Sequence, residues 1–219
     1  MLRDDLVALV LFRLANRTDV TGKLTPGIQS ELQMAQGELE YGNFMPWFLE
    51  RDVRNAFTTT VQSDAEYPLP TDFLRPQEFM LFWFNPLVDP STDSPWCNVL
   101  KDTDYAVALQ RWKGYSSPRK YYMTATGLCI FPMSDKAYQM RLRYYGTEPP
   151  LTSNIENGWT KSAPDVLAAQ TCLVIASQVL KDAELTMAFA GDLKMALVRL
   201  HTAHEARTAA DAHWTSGDD

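Results

Sequence analysis

The spacing of apolar residues changes twice along the chain, from helical to alternating and back. From residue 4 to 15 the period is helical, with Leu6, Val7, Leu9, Val10, Leu11, Leu14 and Ala15 on one wide face. Asp4 or Asp5 at the start suits the positive end of a helix dipole. The polar stretch from Asn16 to Lys23 predicts the end of that helix. Thr25-Pro26 predicts the start of a second, with a hydroxyl cap and a proline in the first turn. Ile28, Leu32, Ala35 and Leu39 continue it at i, i+4, i+7 and i+11, and Gly42 is placed to end it in the left-handed conformation. Phe44-Met45-Pro46-Trp47-Phe48-Leu49 reads as an aromatic plug over this helix pair.

From residue 57 the pattern is that of strands. Phe57 to Val61 is β-branched, and Phe79 to Phe84 is a run of large apolar residues, as expected of a strand covered on both faces. Residues 85–104 hold prolines, serines and aspartates and read as a long loop. Tyr105, Leu109 and Trp112 predict a short helix. Tyr121 to Thr124 and Leu128 to Phe131 flank Ala125-Thr126-Gly127 as a hairpin would. Tyr138, Met140, Leu142 and Tyr144 alternate with polar residues, the mark of a half-buried strand.

Helical spacing then returns. Ser162-Ala163-Pro164-Asp165 is a start signal with serine as cap. The run to Leu180 carries so few charges that burial on most sides is expected. A last helix, about 185–207, places Leu193, Leu197 and Leu200 on one face. The fold class expected is α+β: a bundle of N- and C-terminal helices with an inserted small antiparallel β domain, a sandwich or an open barrel. The expected boundaries are 1–56 for the first helices, 57–150 for the β domain, 151–208 for the last helices and 209–219 for a mobile tail.

Composition narrows the function. A chain of 219 residues buries enough surface to need neither disulfide nor metal. Its formal charge of −7 disfavours a dedicated nucleic-acid binder. Three cysteines, Cys97, Cys129 and Cys172, stand far apart and predict free thiols in a reducing compartment. The opening Met1-Leu2-Arg3-Asp4-Asp5 lacks the basic start of a signal peptide, and no apolar run approaches a membrane span.

Catalytic signatures are missing. There is no G-x-G-x-x-G, no P-loop, no G-x-S-x-G and no C-x-x-C. His201, His204 and Glu205 could share a helix face, but their order is not that of a zinc protease. The pairs Asp102/Asp104 and Asp4/Asp5 read as turns and helix starts. No catalytic residue, metal or cofactor is expected. One stretch is unusual: Arg111-Trp112-Lys113-Gly114-Tyr115 and Arg119-Lys120-Tyr121-Tyr122 contain four cations, four aromatics and no acid. The reading weighted most for it is a loop with inward tyrosines. The sharper one is contact of Arg111, Lys113, Arg119 and Lys120 with DNA in a channel or with an acidic neighbour.

An ordered series of short motifs then stands out: Arg13-Leu14-Ala15-Asn16-Arg17-Thr18-Asp19; Pro46-Trp47-Phe48-Leu49; Tyr67-Pro68-Leu69-Pro70-Thr71-Asp72-Phe73-Leu74-Arg75; Tyr121-Tyr122; Gly127 to Pro132; Leu142-Arg143-Tyr144-Tyr145; Glu148-Pro149-Pro150-Leu151-Thr152; Asn157-Gly158-Trp159; and Pro164-Asp165-Val166-Leu167. Over about residues 2–205 the chain resembles the head-to-tail adaptor family of tailed phages, which includes tail tubular and head-completion proteins. Residues 85–104, with Pro95-Trp96-Cys97, match no feature of that family. The resemblance implies a structural virion protein, made in the host cytoplasm and placed at the head–tail junction. Its partners would be the portal protein, the nozzle or tail-tube proteins and further copies of itself, in a ring usually of twelve. DNA would pass through the lumen without sequence-specific contacts, and no membrane would be involved. By the same analogy Thr202 to Asp219 would dock on the portal, with Thr202, Glu205 and Ala206 in contact and Trp214 as anchor. A tail-side or fibre-attachment role is the nearest alternative. A carbohydrate-binding β module is the alternative of another class, suggested by six tryptophans and nine tyrosines.

Overall fold

A computed structural model describes residues 1–14, 18–58, 66–83, 97–111, 114–153 and 155–215. The chain forms two compact units. One joins Met1–Leu49 to Glu148–Asp219 and is helical; the other is Glu50–Thr147 and is built of strands.

In the helical unit, α1 (Arg3–Arg13) starts with Asp5 accepting the Leu2 N–H at 3.1 Å. The acidic opening thus satisfies a donor that the helix itself leaves without a partner. Residues 15–17 lie outside the described ones. α2 (Thr18–Glu40) begins seven residues before Thr25, so Pro26 lies inside the helix and not in its first turn. A proline deletes one backbone donor, and the remaining turns on both sides carry the helix through. Gly42 does not take the left-handed conformation; the last turn closes through Tyr41 N to Gly37 O (2.9 Å) and Gly42 N to Leu39 O (3.2 Å). A 3₁₀ turn, Trp47–Leu49, follows.

The returning segment opens with α4 (Gly158–Ser162), so Ser162 closes one helix and does not cap the next; Ala163 is the N-cap of α5 (Pro164–Val174), with Pro164 just inside it. Val166, Leu167, Ala168, Ala169, Thr171, Cys172 and Val174 are buried, and α5 packs on α1, on α2 and on α6 (Ala183–Thr215). The low-charge run is therefore the centre of the bundle. It continues as a π-helical turn, Ile175–Leu180, and Lys181 takes a left-handed φ of 53°. Asp182 Oδ1 then accepts the Glu184 and Leu185 N–H groups, each at 3.1 Å, and starts α6. Phe189, Ala196 and Leu200 are the buried face of α6. The helix runs to Thr215, past the expected start of the tail, through Ala209, Ala210 and Ala212, which favour helix.

In the strand unit, β1 (Glu50–Thr58) starts seven residues before Phe57; residues 59–61 lie outside the described ones. There follow β2 (Tyr67–Pro68), β3 (Phe73–Trp83), β4 (Cys97–Val99), β5 (Lys101–Asp102), α3 (Tyr105–Arg111), β6 (Tyr115–Ser116), β7 (Lys120–Met123), β8 (Gly127–Phe131), β9 (Met133–Ser134) and β10 (Tyr138–Gly146). Two of these, β4 and β5, fall in the stretch expected to be loop; residues 84–96 of it lie outside the described ones. One sheet has the order β1-β10-β3-β4, a second β2-β8-β7-β5, and β6 pairs with β9. Pairing is antiparallel except for β5–β7 and β6–β9.

Burial along β10 alternates at every residue, as the pattern of its sequence requires. Phe79 and Leu81 of β3 are buried while Glu78 and Met80 are half-exposed, so this strand has one covered face and not two. Pro76 stands in β3 beside a bulge: Arg143 opposes Glu78 and Tyr144 opposes Pro76, leaving Gln77 unpaired. A bulge is where a strand tolerates a residue without an N–H. Phe79, Leu81, Tyr138, Met140, Leu142 and Tyr144 from the larger sheet and Tyr67, Leu128 and Ile130 from the smaller bury one common core, with Leu100 between β4 and β5. The chain is thus α+β, with N- and C-terminal helices around a mid-chain, mainly antiparallel sheet region.

Candidate functional site

The motif residues are largely consumed in holding each unit together. In the helical unit Gln36, Glu40, Asn157, Trp159 and Thr160 are all buried. Gln36 and Glu40 extend the apolar row Ile28–Leu32 at successive i+4 positions, so α2 carries them into the bundle. Glu40 Oε1 accepts from Gln36 Nε2 (2.9 Å), Trp159 Nε1 (3.0 Å) and the Glu148 N–H (3.1 Å). Asn157 Nδ2 donates to Gln36 Oε1 and to the Pro149 carbonyl, both at 3.1 Å. Asn157 also caps α4, accepting the Thr160 N–H at 3.0 Å. Gly158 passes so close to Phe48 that a Cβ would stand 2.6 Å from its ring. Glu148-Pro149-Pro150 and Asn157-Gly158-Trp159 are thus two sides of one buried polar clamp. Burial raises the Glu40 carboxyl above the usual carboxylate range, and its three donors offset only part of that rise.

The second long motif does the same in the strand unit. Pro70-Thr71-Asp72-Phe73 is a turn closed by Phe73 N to Pro70 O at 3.0 Å. Asp72 Oδ1 accepts the Tyr144 hydroxyl at 2.9 Å, and its backbone oxygen accepts the Thr147 N–H at 2.8 Å. Burial and the neighbouring Asp72 push the Tyr144 phenol up to about 12. Gly146 lies against Asp72, where a Cβ would come within 2.7 Å of Oδ2. Gly127 lies against β2, where a Cβ would come within 2.6 Å of the Tyr67 carbonyl.

Of the residues expected to dock on a partner, Thr202, Glu205 and Ala206 are exposed on α6. Trp214 is on the last turn of that helix, and its side chain lies outside the described ones. Thr202 and Glu205 continue a stripe that sequence reasoning missed. Met187 (71% exposed), Gly191, Met195 (57%) and Val198 (54%) recur at i, i+4, i+8 and i+11 on the side of α6 away from Phe189, Ala196 and Leu200. The helix is therefore apolar on its solvent face as well as its packed one. The aromatic segment after α2 packs on this helix. Phe44 stacks on His201 with centroids 5.0 Å apart and meets His204 edge-on at 5.6 Å. Trp47 stacks on His204 at 6.3 Å, and Arg207 lies 5.7 Å over its ring. His201 Nδ1 is 3.5 Å from Glu205.

Of the basic set, Arg111 ends α3 and is exposed, Arg119 is exposed beside β7, and Lys120 is half-buried at its start; Lys113 lies outside the described residues. The strand pairing adds Lys101 of β5, directly opposite Lys120. A short strand with no periodicity hid that neighbour from the sequence.

Among the described residues no group of three or more His, Cys, Asp or Glu is placed to hold a metal, and no helix is long and apolar enough to cross a membrane. Cys129 and Cys172 are free thiols, and burial pushes Cys172 up to about 12, far from a reactive thiolate. Comparison with the curated proteins gives no match. A family model described as SU10 adaptor protein matches residues 1–216, nearly the whole chain. By that match the chain belongs to the SU10 adaptor protein family, a family of phage head–tail adaptors with a structural role in the virion.

Proposed function

We propose that the protein forms a ring below the portal, continues the DNA channel and offers the surface to which tail proteins attach. The observation that carries this reading is the outward stripe of α6, from Met187 through Val198 to Thr202 and Glu205. An apolar face of about 17 Å on a well-packed helix is costly to leave in water and fits contact with another protein. Closed rings use heterologous interfaces, in which one face of each copy meets a different face of the next. The resemblance implies twelve copies, with the portal on the side of Thr202, Glu205, Ala206 and Trp214, and no catalytic step.

Mixing the full chain with purified portal and imaging the product tests the reading. A ring of copies seated beneath the portal is the expected result. Met195→Glu with Val198→Glu should abolish the ring while circular dichroism stays unchanged. Deleting residues 209–219 should weaken attachment to the portal. A wild-type chain that leaves the portal bare and joins only tail components would overturn the placement.

A further inference from the structure

We propose that the outer edge of the smaller β-sheet is a contact surface for the phosphates of duplex DNA, formed by Lys101, Lys120, Arg119 and Arg111. Tyr121, next to Lys120 on β7, turns inward; its ring centroid is 4.8 Å from that of Phe79 in the core. Successive residues of a strand point to opposite faces, so Lys120 points outward. In the parallel β5–β7 pairing Lys101 opposes Lys120 and Asp102 opposes Tyr121. Two ammonium groups therefore share the outward face, with the Asp102 carboxylate on the other side. Arg119, exposed just before β7, joins this edge through its backbone, its carbonyl accepting the Lys101 N–H at 3.0 Å. Arg111 ends the helix that begins three residues after β5. Among the described residues none of the four cations makes an ion pair. The nearest acids in sequence hold backbone amides: Asp102 that of Thr103 and Asp104 that of Ala106, both at 2.8 Å.

Like charges facing each other across a strand pair destabilise a sheet. A single edge lysine guards against unwanted strand pairing; a second directly opposite it, with two arginines beyond, adds only repulsion until an anion arrives. The anion favoured is a phosphate array, because the cations are spread over a strand edge and a helix end. The chain as a whole carries −7. A duplex would therefore be attracted at this edge and repelled elsewhere, a combination that lets it slide without being gripped. The inference rests on the adaptor reading, in which the ring surrounds the path of the DNA.

The test compares three full-length proteins: wild type, Lys101→Gln with Lys120→Gln, and Lys161→Gln with Lys194→Gln. The last pair lies on exposed helix positions, and both doubles lower the net charge equally. Binding to a duplex of about 30 base pairs is followed by fluorescence anisotropy from about 25 to 200 mM salt, where each neutralised phosphate adds about −0.9 to the slope of log K against log salt. The wild type should show a slope of about −3 to −4, and the edge double should lose about two units of it together with roughly tenfold in affinity at low salt. The control double should match wild type. Equal binding by both doubles, or no binding by wild type at the lowest salt, overturns the proposal. Ring assembly on portal is imaged in parallel. If the edge double fails to join the ring yet binds duplex normally, the partner is an acidic protein surface and the proposal falls. If wild type fails to join the ring while duplex binding follows the edge lysines, the adaptor reading falls and the phosphate surface stands.

Discussion

The two units differ most in where they keep their charge. The helical unit contains sixteen acids and nine Lys or Arg, and the strand unit contains eleven of each. The whole net charge of −7 thus belongs to the helices. The interiors differ as well. The strand unit closes over an apolar core of aromatic and aliphatic side chains, whereas the helical unit buries a carboxylate with its amide and indole partners. An apolar core tolerates substitution if volume is kept. A buried polar clamp demands every member, because each donor left alone is unsatisfied. The comparison teaches that the two units should fail in different ways.

The largest expected effect is on the clamp. Glu40→Leu strands the Trp159, Glu148 and Gln36 donors and should cost about 3–5 kcal/mol, since each unsatisfied buried group costs about 1–3. Amide hydrogen exchange should show the loss in residues 1–49 and 148–215 and leave the strand unit protected; equal loss in both would mean one cooperative body and break the comparison. The same residue gives the helical unit a pH dependence. With its carboxyl above the usual range, the native state holds a proton that the unfolded chain has released. Stability contributed by the protonated form is therefore complete below the ordinary carboxylate range and lost as pH rises through the raised value. Urea midpoints read across mildly acidic pH should fall with rising pH, and Glu40→Gln should flatten that part of the profile.

Next in size is Gly127→Ala. The new Cβ would meet the backbone carbonyl of Tyr67, which cannot rotate away, and the displacement should cost about 1–3 kcal/mol, confined to the strand unit. Thermal melts of the variant, with exchange to locate the damage, would check this. Tyr144→Phe removes a single hydrogen bond to Asp72 and should cost about 1 kcal/mol; no change in the urea midpoint would show that Asp72 is satisfied without it. The smallest effect has the opposite sign. Lys181→Gly relieves a left-handed backbone between α5 and α6 and should stabilise the helical unit by up to about 1 kcal/mol, offset in part by the added freedom of the unfolded chain.

Sequence patterning revealed the elements with a strong period. β10 alternates throughout, and the α5 run has too few charges for anything but the middle of a bundle. The hairpin about Ala125-Thr126-Gly127 carried its own turn chemistry. Strands of two or three residues, such as β4 and β5, are too short to show a period, so their stretch read as loop. Thr25-Pro26 looked like a helix start because local preference favours one there, yet backbone continuity from Thr18 prevails. The clamp was legible in part: Gln36 and Glu40 are polar residues on an apolar i+4 row, and a mismatch of that kind signals buried partners. The partner of the aromatic plug was not legible, because Phe44 and Trp47 find His201 and His204 more than 150 residues away, a pairing set by tertiary packing alone. The outward stripe of α6 escaped notice because a helix apolar on both sides loses the contrast that marks a face.

The placement of α5 at the bundle centre has a consequence for biosynthesis. Its packing partners α1 and α2 leave the ribosome more than a hundred residues earlier, and the contiguous strand unit emerges between them. The strand unit can reach its native form on the nascent chain, while the first two helices wait with their apolar faces uncovered. Closure of the bundle waits for α5 and α6, so the helical unit, first to begin, is completed after the strand unit that interrupts it.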